Sequence, residues 1–291
     1  FSDPSSCFMD PFLGDGVLHM TCWVLTAEGE PCSRCPRTIA DRCEEWIKEQ
    51  GLADKIFVGF EAEFFIFENV QYSVQGHRVG FSVDCKQEAY WNSDAVCDGR
   101  GNLAHRSVAG RGYCCVPPED RRHTVRASML RHMEAVGLPV EKHHHEVGVC
   151  QHELGIRYST LRQAADWCLT YKYVVKNVAH ANGVTATFLP KPMPLTSGSG
   201  MHLHMSFWLG GRNTFFDENG EYAQLSQRAL FAIAGILTHA PALLALTNPT
   251  TNSYKRLVPG FEAPCCLSYS QGNRTAAIRI PLSARNATKS K

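Results

Sequence analysis

Three short patterns place cation-binding side chains at spacings a β-strand can use. Glu61-Ala62-Glu63 lies inside the apolar run Ile56–Phe67, and His202-Leu203-His204 follows Gly198-Ser199-Gly200. Side chains at i and i+2 of a strand share a face, so each pattern offers two ligating groups on one surface. His143-His144-His145-Glu146 and Gln151-His152-Glu153 add two carboxylates that a strand–turn–strand would return to one place. Paired carboxylates on a buried strand repel each other and are costly unless a cation neutralises them. The plainer alternatives are a solvent-facing polar edge, a solvated histidine run and a strand pair of histidines that binds nothing. Around Glu61 and Glu63, the flanking Phe57, Phe60, Phe64, Phe65 and Phe67 argue against the polar edge. Oxygen-rich sets suit Mg²⁺ or Mn²⁺, ions that usually serve phosphate chemistry. Arg256, Arg274 and Arg279 lie downstream, able to neutralise phosphate or carboxylate charge. Neither a Gly-x-x-x-x-Gly-Lys-Ser/Thr loop nor a Gly-x-Gly-x-x-Gly turn is present, which removes support for Walker-type and dinucleotide-binding folds. Taken alone, these residues imply a metal-dependent enzyme acting on an anionic, phosphorylated substrate.

The elements that must position them follow from periodicity. Alternation predicts strands over 17–26, 56–67, 140–145, 152–158, 185–189, 201–208 and 276–280. Helical spacing predicts helices over about 38–50, 119–136 and 160–183, and one or two within 225–246, with Gly51, Gly137 and Gly183 as stops. Residues 71–112 are glycine-rich and polar, expected to form loops with short strands. Asn248 to Pro264 has neither periodicity and reads as an ordered, charged loop. Strands and helices mix without strict alternation, which gives an α+β fold.

Composition sets the bounds. The chain has 291 residues, 44% hydrophobic and 20% charged, with net charge +1, so no basic field points to nucleic acid or anionic membrane. No apolar run is expected to reach the ~20 residues of a membrane-spanning helix, and no signal peptide is read. The 13 cysteines include the adjacent pairs Cys114-Cys115 and Cys265-Cys266, poorly suited to a disulfide framework. Reduced thiols and a cytoplasmic location are expected. Cys32-Ser33-Arg34-Cys35 has zinc-ribbon spacing but no second such pair follows.

Five segments, in order, carry a resemblance to one family. They are Val58–Phe67; Trp91-Asn92 with Gly101-Asn102 and His105-Arg106; His143–Val147 with Gln151-His152-Glu153; Ala186–Pro192 with Gly198–His204; and Asn248–Pro264 with Asn273-Arg274 and Ile278–Pro281. Together they resemble type I glutamine synthetases over nearly the whole chain. The resemblance implies a catalytic domain of antiparallel sheet flanked by helices over residues 38–291, preceded by the tail of an N-terminal β-grasp domain over 1–37. It implies ATP-dependent ligation of ammonia to the γ-carboxylate of glutamate through γ-glutamyl phosphate, with ATP as co-substrate and two or more Mg²⁺ or Mn²⁺ ions. Glu63, Glu146 and Glu153 would hold one ion, and Glu61 and His202 another. Arg256, with Gly198 and His202, would bind glutamate. Glu262 would be the flap carboxylate that helps take a proton from ammonium, and Arg274 would stabilise the transferred phosphoryl charge. Arg274 and Arg279 would contact phosphate oxygens, with His204, Ser206 and Tyr158 near the nucleotide. The family assembles as two stacked six-membered rings, so a homo-oligomer is expected, with no nucleic-acid or membrane partner.

Several residues depart from the family pattern. Thr196-Ser197 stands where the family has Asp-Asn, Cys150 replaces a Gly, Phe60 a Pro, and Tyr269–Arg274 lacks one arginine. Ser197 and Cys150 leave open ligation to another amine. A non-catalytic family member is a further alternative, against which the five metal positions argue, because a scaffold has no need of clustered buried carboxylates. The chain opens on Phe1 and closes on the polar run Ser283–Lys291, which reads as a segment cut from a longer protein. The family's last metal carboxylate and the Asp loop lent by a neighbouring subunit are expected outside it, and the segment alone is expected to be inactive.

Overall fold

A computed structural model describes residues 1–85, 105, 107 and 110–281. The N-terminal stretch forms two short strands, β1 (Phe8–Met9) and β2 (Leu18–His19), before helix α1 (Pro36–Glu49). The strand expected over 17–26 is thus reduced to two residues, with isolated bridges at Cys22 and Leu25. α1 starts at Pro36 because proline suits the first helical position, which places the expected 37/38 boundary inside its first turn. The central strand β3 (Lys55–Phe67) follows, then the hairpin β4 (Asn69–Gln75) and β5 (Arg78–Asp84). Trp91, Asn92, Gly101, Asn102 and Arg106, named in the resemblance, lie outside the described residues.

Helix α2 (His123–Ala135), strands β6 (Val140–His145), β7 (Gln151–Ile156) and β8 (Ser159–Thr160), and helix α3 (Leu161–Ala181) come next. The chain continues through β9 (Thr185–Thr187), β10 (Met201–Leu209), β11 (Arg212–Asn213), α4 (Gln227–Thr247), α5 (Thr251–Arg256), β12 (Cys266–Gln271) and β13 (Ala276–Ile280). The main sheet is antiparallel in the order β11-β10-β3-β7-β6, with β8 and β9 also paired to β3.

β3 decides which face does what. Its even-numbered Phe60, Ala62, Phe64 and Ile66 are buried against Met129 and Met133 of α2 and Tyr171, Val174, Val175 and Val178 of α3. The period of two then turns Glu61 and Glu63 to the opposite face. Tyr171 fixes the two key strands from below, its hydroxyl hydrogen-bonded to Ala62 O at 2.9 Å and Leu154 O at 3.3 Å. Beyond the carboxylates, Phe65 and Phe67 pack with Cys85, Val149, Cys150 and Met193 in a second buried cluster.

Two expectations fail here. The segment 248–264 is not all loop, because Thr250 and Ser253 form a reciprocal capping box that starts α5. The helical stretch expected within 225–246 is the single 21-residue helix α4, and, against the expectation of no such run, it is long and apolar enough to span a bilayer by length and composition. His239 and Pro241 interrupt the run in sequence, yet the helix carries through Pro241.

Candidate active site

Register brings the sequence patterns to one place. On β3, Glu61 lies opposite His202 of β10, and Glu63 opposite Glu153 of β7. His144 of β6 lies on the other side of Glu153. Between β6 and β7 the chain turns tightly, with Glu146 N donating to Gln151 O at 2.8 Å and Gln151 N to Gly148 O at 3.2 Å. This turn returns Glu146 beside Glu153. Cys150 closes it at φ 62°, the left-handed region that glycine adopts freely.

Ligand atoms of His144, Glu146 and Glu153 all lie within 4.8 Å of one another. His144 bridges the two carboxylates, Nδ1 at 3.3 Å from Glu146 and Nε2 at 3.3 Å from Glu153. Burial, and then the Glu63 charge, push the Glu146 carboxyl from 4.5 up to about 7. The contact with Glu153 raises His144, drawing that imidazole towards its charged form. Crowded anions that borrow protons to coexist form a donor set that a divalent cation satisfies better.

Glu63 is the most supported of these groups. Its Oε2 accepts from Gln151 Nε2 and from Gly200 N, each at 2.9 Å, and its Oε1 meets His202 Nε2 at 3.2 Å. His204 Nε2 lies 3.3 Å from Glu61 Oε1, and this contact chiefly lowers Glu61 to about 2. The side chains therefore pair His202 with Glu63 and His204 with Glu61, whereas the resemblance couples His202 with Glu61.

The loop after β9 approaches from above. Arg256, the last residue of α5, donates its Nε to Gly198 O at 3.2 Å, and burial lowers its pKa. A Cβ on Gly200 would stand 2.6 Å from Arg256 Nη2, and one on Gly198 2.4 Å from Pro190 O. Gly198 therefore needs glycine, since a backbone carbonyl cannot give way, whereas a side chain at 200 would push the Arg256 guanidinium aside. Asn252 clasps the chain at Lys191, accepting from its N–H at 2.7 Å and donating to its carbonyl at 2.9 Å. Ser197 Oγ donates to Glu262 Oε2 at 3.1 Å, and the Lys191 ammonium lies 4.2 Å from the Phe261 ring centre. Glu262 itself sits at φ 58°.

One open cleft of about 1880 Å³ is lined by Glu61, Glu63, Tyr158, His202, His204, Ser206, Arg256, Glu262, Arg274 and Arg279, among others. Glu146 and Glu153 join it through Glu63 rather than lining it. Arg274 and Arg279 are exposed at its edge; Ser206 accepts from Trp208 Nε1 at 3.0 Å, and Tyr158 meets Phe57 edge-on. Sequence reasoning passed over His144, Gln151 and Lys191 as site groups. His144 was accessible to it, since it stands two residues before Glu146 on a strand.

An antiparallel sheet that gathers carboxylates and imidazoles on one face, beneath a guanidinium held on a capped helix, has the chemistry of a metal-dependent site for anionic substrates. Comparison with known proteins makes this specific. A family model described as glutamine synthetase, catalytic domain, matches residues 33–290. The chain belongs to that family. It is 48% identical over 280 residues to a glutamine synthetase of Azospirillum brasilense, covering 96% of this chain and 59% of the relative. It is 49% identical over 281 residues to a 3-hydroxylaminophenol mutase of Cupriavidus pinatubonensis, again covering 96% and 59%. Among solved structures, Plasmodium falciparum glutamine synthetase superposes with a TM-score of 0.90 at 33% identity, covering 99% of this chain and 56% of that one. The chain thus spans about three-fifths of the length of the curated relatives it matches.

Proposed function

We propose that the protein to which this chain belongs ligates ammonia to the γ-carboxylate of glutamate at the expense of ATP, through γ-glutamyl phosphate. The observation that carries this reading is the cluster of His144, Glu146 and Glu153, with Glu63 paired to Glu153 and lining the cleft with Arg256 and Glu262. Glu63, Glu146 and Glu153 would hold one Mg²⁺ or Mn²⁺, and Glu61 with His202 a second, His204 standing beside Glu61. Such ions neutralise and orient a transferring phosphoryl group.

The chain's own groups do the rest. Arg256, half-buried and anchored on Gly198 O, offers its guanidinium to the substrate carboxylate. Glu262 accepts the proton that ammonium must lose before its nitrogen can attack, and Ser197 holds this carboxylate over the cleft. Arg274 and Arg279 at the rim meet phosphate oxygens, while Tyr158, His204 and Ser206 lie where a nucleotide would enter. Residues 1–37 would be the end of a separate N-terminal domain, although the family match to the catalytic domain already begins at residue 33. Ring assembly with active sites between subunits, and a cytoplasmic location, complete the proposal.

A second amine is a specific alternative, because Ser197 gives Glu262 a hydroxyl where the resemblance expects an amide. The test is phosphate release by the full-length protein with ATP, glutamate and Mg²⁺, run with ammonium, methylamine or no amine, beside an ATP-free assay on 3-hydroxylaminophenol. Ammonium-dependent turnover supports the proposal. Preference for methylamine, or turnover only of the hydroxylaminophenol, overturns it.

A further inference from the structure

Cys32 and Cys35 sit at the start of α1, away from the residues that line the cleft. Cys35 N donates to Cys32 O at 3.0 Å, which closes a tight turn through Ser33 and Arg34. A four-residue turn keeps its end Cα atoms within about 7 Å, close to the span a disulfide bridges. Cys35 is buried at the N-cap of α1, and Cys32 is half-buried. The backbone N–H groups of Val24 and Thr38 lead in holding the Cys35 thiol down, from 9.0 to about 7, so thiolate is abundant at neutral pH. Zinc is a poor occupant, since a structural site needs about four ligands. Among the described residues, the one group of three or more candidate ligands is His144, Glu146 and Glu153.

We propose that Cys32 and Cys35 form a reversible intramolecular disulfide, closed by exchange with a small-molecule disulfide of the glutathione class. The more accessible Cys32 thiolate attacks one sulfur of glutathione disulfide, releasing one glutathione thiolate and leaving a mixed disulfide on Cys32. Cys35 thiolate then attacks Cys32 Sγ, breaks that mixed disulfide and expels the second glutathione thiolate. The two protons lost by the protein thiols go to the two glutathiones, and two electrons pass from the protein to the reagent.

The sequence supplies a diagnostic digest, because Arg34 and Arg37 put tryptic cuts on both sides of Cys35. The 291-residue chain is treated with glutathione disulfide, blocked with N-ethylmaleimide, unfolded in urea and digested without reductant. The expected product is peptide 1–34 joined to peptide 35–37, released by dithiothreitol and lost in Cys32→Ser. A Cys32→Ala chain, with circular dichroism matching the parent, guards against a folding defect. Recovery of peptide 35–37 as its maleimide or glutathione adduct from the parent chain overturns the proposal. So does a joined product that persists in Cys32→Ser, which would place the bridge at Cys7 or Cys22.

Discussion

His143 and His144 are neighbours on one strand and sit in opposite electrostatic surroundings. His143 faces α2, where Arg126 Nε lies 3.3 Å from its Nδ1, and burial followed by that cation pushes it down to about 4. His144 faces the glutamate cluster and is raised by Glu153. The same division separates His152 from Glu153 on the next strand: His152 is fully buried against Arg126 Nη1 at 3.0 Å and pushed well below its usual value, chiefly by burial. On the α2 face, Arg126 is matched by Asp120, and the histidines are held neutral. On the cleft face, three glutamates share imidazoles, the Gln151 amide and backbone donors, with no guanidinium or ammonium paired to them among the described residues. One face is balanced in charge, though His152 Nε2 is left without a hydrogen-bond partner there; the other carries an excess of negative charge that the fold alone does not neutralise. That asymmetry, and not the number of charged residues, marks the functional side of the sheet.

Removing Arg126 is the strongest way to break the comparison. Arg126 is 1% exposed, so Arg126→Ala leaves buried Asp120 with only the Arg122 N–H and the His123 imidazole among the described residues, and an expected loss of about 3–5 kcal/mol follows. Urea denaturation would measure it. A cost below about 1 kcal/mol would mean that the α2 face is not the balanced network inferred here.

The cleft face predicts the opposite sign. Glu146→Gln removes an anion from a crowded cluster, so without divalent ions its melting temperature should equal or exceed that of the parent. Mn²⁺ at about a hundred times its Kd should stabilise the parent by about 2.7 kcal/mol and the variant by much less. Equal stabilisation of both chains would remove Glu146 from the ion site. The pH dependence sharpens the point. Glu146 has its ordinary value at 4.5 and rises to about 7 in the fold, so the native state holds an extra proton between these values. Its contribution to stability is present below about pH 4.5 and lost as pH rises towards 7 when chelator is present. Mn²⁺ should offset that loss over the same window, and Glu146→Gln should flatten the slope. Differential scanning calorimetry at pH 5 and 7.5 reads both.

Most of this architecture was legible in the sequence because apolar periodicity and the chemistry coincide on β3. The phenylalanines that bury one face force Glu61 and Glu63 onto the other. The β6–turn–β7 return was legible for the same reason, from two carboxylates bracketing a short turn. His144 was lost within a histidine run whose alternate members face opposite ways, a division that depends on register with Glu153. The N-terminal strand was overpredicted because alternation over 17–26 meets only a two-residue partner at Phe8–Met9. Gln151 and Lys191 owe their roles to contacts with residues far away in the chain, at Glu63, Asn252 and Phe261. No local pattern encodes such contacts.

α5 gives the smallest effect and the finest test of how the cleft face is built. The stretch after Asn248 lacks helical periodicity, yet Thr250 accepts from Ser253 N at 3.2 Å and Ser253 Oγ accepts in return from Thr250 N at 3.4 Å. This cap starts a helix of one and a half turns whose last residue is Arg256. Thr250→Ala should cost about 1 kcal/mol, too little to disturb the sheet or the Arg126 network. Its effect should fall on Arg256, which reaches Gly198 only while α5 is formed. In the full-length protein the expected outcome is a raised KM for glutamate with little change in the ion-dependent melting shift. Hydrogen exchange should quicken over residues 251–257 and not over β3. If the ion-dependent shift fell as much as glutamate binding, the guanidinium and the carboxylate cluster would be one cooperative unit, and the division between a substrate loop and an ion-holding sheet would be wrong.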